Sequence, residues 1–134
     1  MLNTRLSVAI HILALVATNP KLSSDMIAGS VTTNPVVIRR ISSELKKAGL
    51  VTSRPGVSGL ALTKAPEHIT LLDIYQAVQL EKDIFPIHDK PNPNCPVGKQ
   101  IQTTLDTAFE SVQLAMEKEL NSKTLKDIMN HLFQ

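Results

Sequence analysis

The chain has 134 residues, 43% of them hydrophobic, but no tryptophan, one tyrosine and three phenylalanines, so a single domain with an aliphatic, helix-packed core is favoured over an aromatic-rich β-sandwich. One cysteine excludes an internal disulfide, no apolar run approaches the roughly 20 residues of a membrane span, and Arg5 and His11 interrupt the first apolar stretch, so a cytoplasmic protein without a signal peptide is expected. The formal net charge of +2 hides an asymmetry: residues 1–64 hold eight Lys/Arg against two Asp/Glu, a net of +6, and residues 65–134 hold six against ten, a net of −4. A basic first half fits a polyanion partner; an acidic second half would be repelled by one and needs another role.

Residues 3–18 read as the first helix, with Leu6, Ile10, Leu13, Val16 and Ala17 in one stripe and Ala9, Ile12 and Leu15 widening it. A helix apolar on most sides belongs between other elements. His11 within it is expected in the core or at an interface rather than as a ligand. Asn19-Pro20 ends the helix. Ser23 can cap a second helix over residues 24–30, with Asp25 favourable in its first turn and Met26, Ile27 and Ala28 inward. Val31-Thr32-Thr33 then turns the chain into Asn34.

The third helix has clear punctuation. Asn34 is a natural N-cap, Pro35 fits the first helical position, and Gly49 supplies the left-handed residue after the end. Ile38, Ile41, Leu45 and Ala48 fall on one face, and Val36, Arg39, Arg40, Ser43, Lys46 and Lys47 on the other. Two helices joined by a short turn, the second basic on its outer face, make a helix-turn-helix. An ordinary amphipathic surface helix shows the same pattern; the flanking elements favour DNA. In that reading Arg39 and Arg40 reach base edges, guanine first, Val36 touches a thymine methyl, and Asn34, Ser43, Lys46, Lys47, Ser53 and Arg54 contact phosphates.

After Gly49, residues 50–53 and 60–63 alternate as strands around the turn-rich tip Arg54-Pro55-Gly56-Val57-Ser58-Gly59. A hairpin directly after a recognition helix is a wing. Gly56 and Gly59 allow close approach to a phosphate backbone, and Arg54 can enter a minor groove.

Residues 64–68 read as a linker. Thr70 with Asp73 three residues on forms a variant capping box, with Ile69 as staple, for a helix whose apolar side holds Ile74, Ala77 and Val78 and whose edge carries Tyr75. Residues 81–94 are a proline-broken loop, yet Ile84, Phe85 and Ile87 should dock on something. Pro96 opens the longest helix, running to about residue 121, roughly 39 Å at ~1.5 Å per residue. Val97, Ile101, Leu105, Ala108, Val112 and Ala115 make one stripe, and Phe109, Met116 and Leu120 a second. One small domain cannot cover both, so a second copy of the chain is expected on this helix, with Ile101, Leu105, Phe109, Val112 and Met116 as dimerisation residues. Thr124 caps a last short helix with Leu125, Ile128, Met129 and Leu132 inward. The domain reading is a helix-turn-helix unit over 1–80, a loop over 81–95, and over 96–134 a dimerisation helix and short last helix packing on the first domain and the partner subunit.

Cys95 lies at the start of the long helix, where the macrodipole favours a thiolate, so it is a candidate redox sensor; the competing reading is a buried, cap-like cysteine. No Gly-rich phosphate loop, metal-ligand cluster or paired-carboxylate motif points to an enzyme, and His11, His68, His88 and His131 are scattered.

Together these motifs resemble a bacterial regulator family, the winged-helix Rrf-two family of IscR, NsrR and CymR, over nearly the whole chain. The matching segments are Thr4-Arg5 with Ala9 and Leu13, Ile27-Ala28, Asn34-Pro35, the run from Leu45 through Ala48-Gly49-Leu50-Val51, Pro66 with Ile69-Thr70-Leu71 and Asp73-Ile74, and Thr124-Leu125 with Asp127-Ile128. In the wing, Gly56 and Gly59 remain, but Ser58 and Leu60 replace glycines and Ala61 replaces an aromatic, which implies a stiffer wing. Cluster-binding members use three cysteines before the long helix; here only Cys95 is present. One thiolate cannot hold an iron–sulfur cluster, which needs about three or four ligands, so the resemblance implies the cluster-free, YwnA/CymR-like subgroup with no cofactor and no metal. It implies a mainly α fold with a small β-hairpin wing and a homodimeric, sequence-specific DNA-binding regulator on a palindromic operator, expected to be a repressor. The alternative is a regulator whose main input is a protein partner.

Overall fold

A computed structural model describes residues 4–53, 59–80 and 84–134. The described residues form α1 (Arg5–Thr18), α2 (Ser24–Val31), α3 (Pro35–Lys47), β1 (Val51–Thr52), β2 (Ala61–Leu62), α4 (Leu71–Val78), α5 (Pro96–Asn121) and α6 (Leu125–Leu132), with a 3-10 turn at Pro66–His68. The expected tip residues Arg54 and Gly56 lie outside the described residues.

Helix α1 runs through the middle, against α2, α3, α4, α6 and β2. Its buried residues are Ala9, Ile12, Leu13, Ala14 and Val16. His11 is not in the core: it falls on the opposite side of the helix from Ala9 and Leu13, exposed, with Nε2 3.0 Å from Ser30 Oγ. Ser23 caps α2 by accepting the Met26 N–H at 3.2 Å. Ile27 and Ala28 are buried, but Met26, expected inward, is 52% exposed, because so short a helix turns only one narrow arc to the core.

Asn34 caps α3 by accepting the Val36 N–H at 2.8 Å, and Gly49 has φ +79°. Ile38, Ile41 and Leu45 are buried. Ala48, expected on the same stripe, is exposed, since it is the C-cap where the chain already leaves the helix. Strands β1 and β2 pair antiparallel, Val51 opposite Leu62 and Thr52 opposite Ala61. The glycine of this ribbon has an internal use: Gly59 has φ +92°, and a Cβ there would collide with the Pro20 carbonyl oxygen. Its freedom lets the ribbon lie against the α1–α2 turn.

Two reciprocal capping boxes, Thr70 with Asp73 and Thr124 with Asp127, start α4 and α6. They stand side by side. The Leu71 N–H donates to the Lys123 carbonyl at 2.9 Å and the Leu125 N–H to the Ile69 carbonyl at 2.8 Å, an antiparallel bridge between Thr70 and Thr124. Ile69, Ile74 and Leu125 are wholly buried at this seam. Tyr75 is buried rather than at an edge, and burial, helped by Glu117, pushes its phenol pKa up. Ile128 and Met129 pack on the core, but Leu132, expected inward, is 59% exposed because the last turn of α6 runs past it.

Gly59→Ala should destabilise the protein by more than about 1 kcal/mol, since it combines a positive φ with a backbone collision; urea unfolding against wild type measures it.

Candidate nucleic-acid interface

The outer face of α3 is set by its inner one. Ile38, Ile41 and Leu45 are essentially inaccessible, which fixes the rotation of the helix about its axis. The one carboxylate on α3, Glu44, is turned to the body: its carboxylate pairs with the Arg5 guanidinium, whose Nε also donates to the Val78 carbonyl at 2.9 Å. Arg5 therefore joins the start of α1, the flank of α3 and the end of α4. This pairing leaves only cations among the charged groups of the outward face. Nothing in the local pattern around residue 5 or 44 announces it, since the two are far apart in sequence.

The eight described residues expected at DNA are all exposed: Asn34, Val36, Arg39, Arg40, Ser43, Lys46, Lys47 and Ser53. Val36 through Lys47 share one stripe of α3 at helical spacing. Asn34 has its side-chain oxygen engaged by the cap. Lys46 Nζ donates to Ser53 Oγ at 2.7 Å, which links the end of α3 to the end of β1.

The second half presents a different surface. No residue of the 26-residue α5 is buried. Val97 is 67% and Val112 50% exposed, and Ile101 and Leu105 are only half-buried. Phe109 is engaged within its own chain, stacked at a tilt on Phe85 with ring centroids 5.4 Å apart, and this is where the loop docks. Leu120 packs on the core. The groove beside Phe85 and Phe109 carries Asp89, Asp106, Glu110 and Glu117.

Cys95 is exposed at the N-cap of α5, not buried. The backbone N–H groups of Gly98 and Val97, at the start of the helix, favour its thiolate and hold its pKa below the usual thiol value. Gly98 also lets the Asn92 carbonyl lie against the helix start, where a Cβ would collide. Among the described residues no three of His, Cys, Asp and Glu converge on a common point, and no helix is long and apolar enough to cross a membrane.

Residues 2–131 match the Rrf2 family, described as iron-dependent transcriptional regulators. The chain is 60% identical over 133 residues to YwnA of Bacillus subtilis, named as a candidate HTH-type transcriptional regulator, covering 99% of this chain and 100% of that one. It is similar to a crystal structure of a candidate DNA-binding protein at 57% identity and TM-score 0.80, covering 93% of this chain and 98% of the other. CymR of Bacillus subtilis, the global cysteine regulator, shares the fold at 23% identity and TM-score 0.67, with 97% and 96% covered. The donor set here does not fit an iron–sulfur cluster: the chain holds one cysteine, and one thiolate falls short of the roughly three or four ligands a cluster requires. The helix-turn-helix, the two-stranded ribbon and these relatives agree, and the chain belongs to the Rrf2 family of DNA-binding transcriptional regulators.

Proposed function

We propose that the protein acts in the cytoplasm as a homodimeric, sequence-specific repressor that uses α3 of each copy in successive major grooves of a palindromic operator, without an iron–sulfur cluster. The observation that carries this is the single-signed, fully outward stripe of Val36, Arg39, Arg40, Ser43, Lys46 and Lys47 on a helix locked by Ile38, Ile41 and Leu45. A helix of this width fits the major groove, and two-fold symmetry would place a second one about 34–36 Å away. Asn34, Ser53 and Arg54 would add phosphate contacts at the rim. Eight helical cations per dimer predict a strong electrostatic component. Affinity for a mixed-sequence duplex should fall by about 10³-fold or more between 50 and 200 mM salt. A flat salt titration would instead favour the alternative reading, a protein partner drawn to the acidic groove at Asp106, Glu110 and Glu117.

The second copy is assigned to α5, because a helix of 26 residues without one buried side chain leaves a continuous apolar stripe for an identical one. Ile101, Leu105 and Val112 would lie at its centre, with Phe109 and Met116 at the side nearer the loop. Leu105→Glu should convert the dimer to a monomer in sedimentation velocity and weaken operator binding at least about a hundredfold, while the helical circular dichroism of the fold persists. A wild-type protein that sediments as a monomer at high concentration would remove this part of the proposal.

We further propose that Cys95 is a reactive thiol through which oxidants or electrophiles alter DNA binding. Its sulfur is exposed at a helix N-terminus, where the backbone N–H groups of Gly98 and Val97 lower its pKa and so favour the thiolate, the nucleophilic form. The sign follows directly: a lowered pKa means that alkylation by iodoacetamide reaches half its maximal rate at a lower pH than for a free cysteine. Mass-spectrometric rates across pH check this. Cys95→Ser binding and releasing DNA as wild type does under peroxide would leave the thiol reactive but without a regulatory role.

A further inference from the structure

The outward stripe of α3 is not uniform. Arg39 and Lys46, seven residues apart, fall on one flank, and Arg40 and Lys47 lie roughly 100° further round the helix. The first flank borders a recess. A cleft of about 240 Å³ opens between α3, α2 and the ribbon, and its lining includes Ser24, Arg39, Ser42, Ser43, Lys46 and Gly59. Two cations and three serines line it, and none of its described lining residues is a carboxylate.

One of those hydroxyls is out of the ordinary. A serine inside a helix usually bonds the carbonyl four residues back or turns to solvent. Ser42 does neither: its Oγ is buried and finds no hydrogen-bond partner among the described residues. A buried hydroxyl left unsatisfied costs free energy, and the charged groups lining the cleft, Arg39 and Lys46, can only donate. What completes such a set is an anionic oxygen, which accepts from guanidinium, ammonium and hydroxyl together.

Location decides which anion. When a helix lies in a major groove, its crest meets base edges and its flanks meet the sugar-phosphate strands. Val36 and Ser43 lie nearest the crest, opposite Ile38, Ile41 and Leu45; the cleft lies off it, toward α2.

We infer that this cleft clasps one backbone phosphodiester of the bound duplex, with Arg39 and Lys46 supplying the charge and Ser42 a neutral donor. Arg39 is then a positioning residue, and base reading falls to Arg40 and Val36. The inference rests on the DNA-binding reading given above and divides the labour within it.

The test is selection of duplexes from a random-sequence pool by wild type, R39Q, R40Q and S42A, followed by affinity measurements on the wild-type consensus from 50 to 200 mM salt. R39Q should keep the wild-type consensus at every position while its log–log salt slope falls by about one per subunit. S42A should keep both consensus and slope and bind at least about tenfold more weakly per subunit, as loss of one hydrogen bond to a charged group in each copy implies. R40Q should relax the preference at one base position. If R39Q relaxes a base preference, or S42A binds at wild-type strength, the clasp is overturned although duplex binding stands. Wild type that retains no duplex even at 50 mM salt overturns the DNA-binding reading, and the clasp with it.

Discussion

The burial of Ile38, Ile41 and Leu45 is the constraint on which the rest of the molecule turns. Removing three aliphatic side chains of this size from water stabilises by about 1.5–3 kcal/mol each. Repulsion among solvated cations on one helix face amounts to a few tenths of a kcal/mol per pair. The first term is several-fold the larger, so four positive groups can be displayed without loosening the helix that displays them. Arg5 contributes on the same side, drawing Glu44 out of the display and holding α3 to the last turn of α4.

The two halves of the chain divide the work by charge. The first half concentrates its cations on one helix; the second keeps ten of the chain's acidic residues and presents apolar side chains between them along α5. An acidic rod is kept off a polyanion by its own sign, and its uncovered stripe is suited to a like rod. Charge alone thus sets the basic face of α3 apart from the acidic, apolar-striped face of α5.

What was legible in the sequence was local. Asn34-Pro35, Gly49, Thr70 with Asp73 and Thr124 act within a few residues of themselves, and each cap stands where its pattern put it. The order of elements followed from those signals and from periodicity. Misreadings fell where a neighbour decides. Met26, Ala48 and Leu132 sit at helical spacing but at places where the partner surface has already ended. His11, expected in the core or at an interface, is exposed beside Ser30 of α2, because on a helix apolar nearly all round no local cue shows which thin strip stays wet. At the interface, the face of α3 was readable from spacing, whereas the Arg5–Glu44 pair, the Lys46–Ser53 bond and the isolated Ser42 hydroxyl depend on contacts between elements. The close approach of Gly59 to the Pro20 carbonyl was likewise not legible, because a flexible turn residue looks the same in sequence whatever backbone it approaches.

The paired hydrogen bonds joining residues 69–71 to residues 123–125 make α4, its following loop and α5 into a closed circuit. The tail is therefore no appendage that frays on its own: Leu125 sits in the same interior as Ile38 and Ile74, so undocking α6 exposes the heart of the molecule. Loss of the last helix and loss of the whole fold become one cooperative event, and α5 is tied to the interior at its Leu120 end.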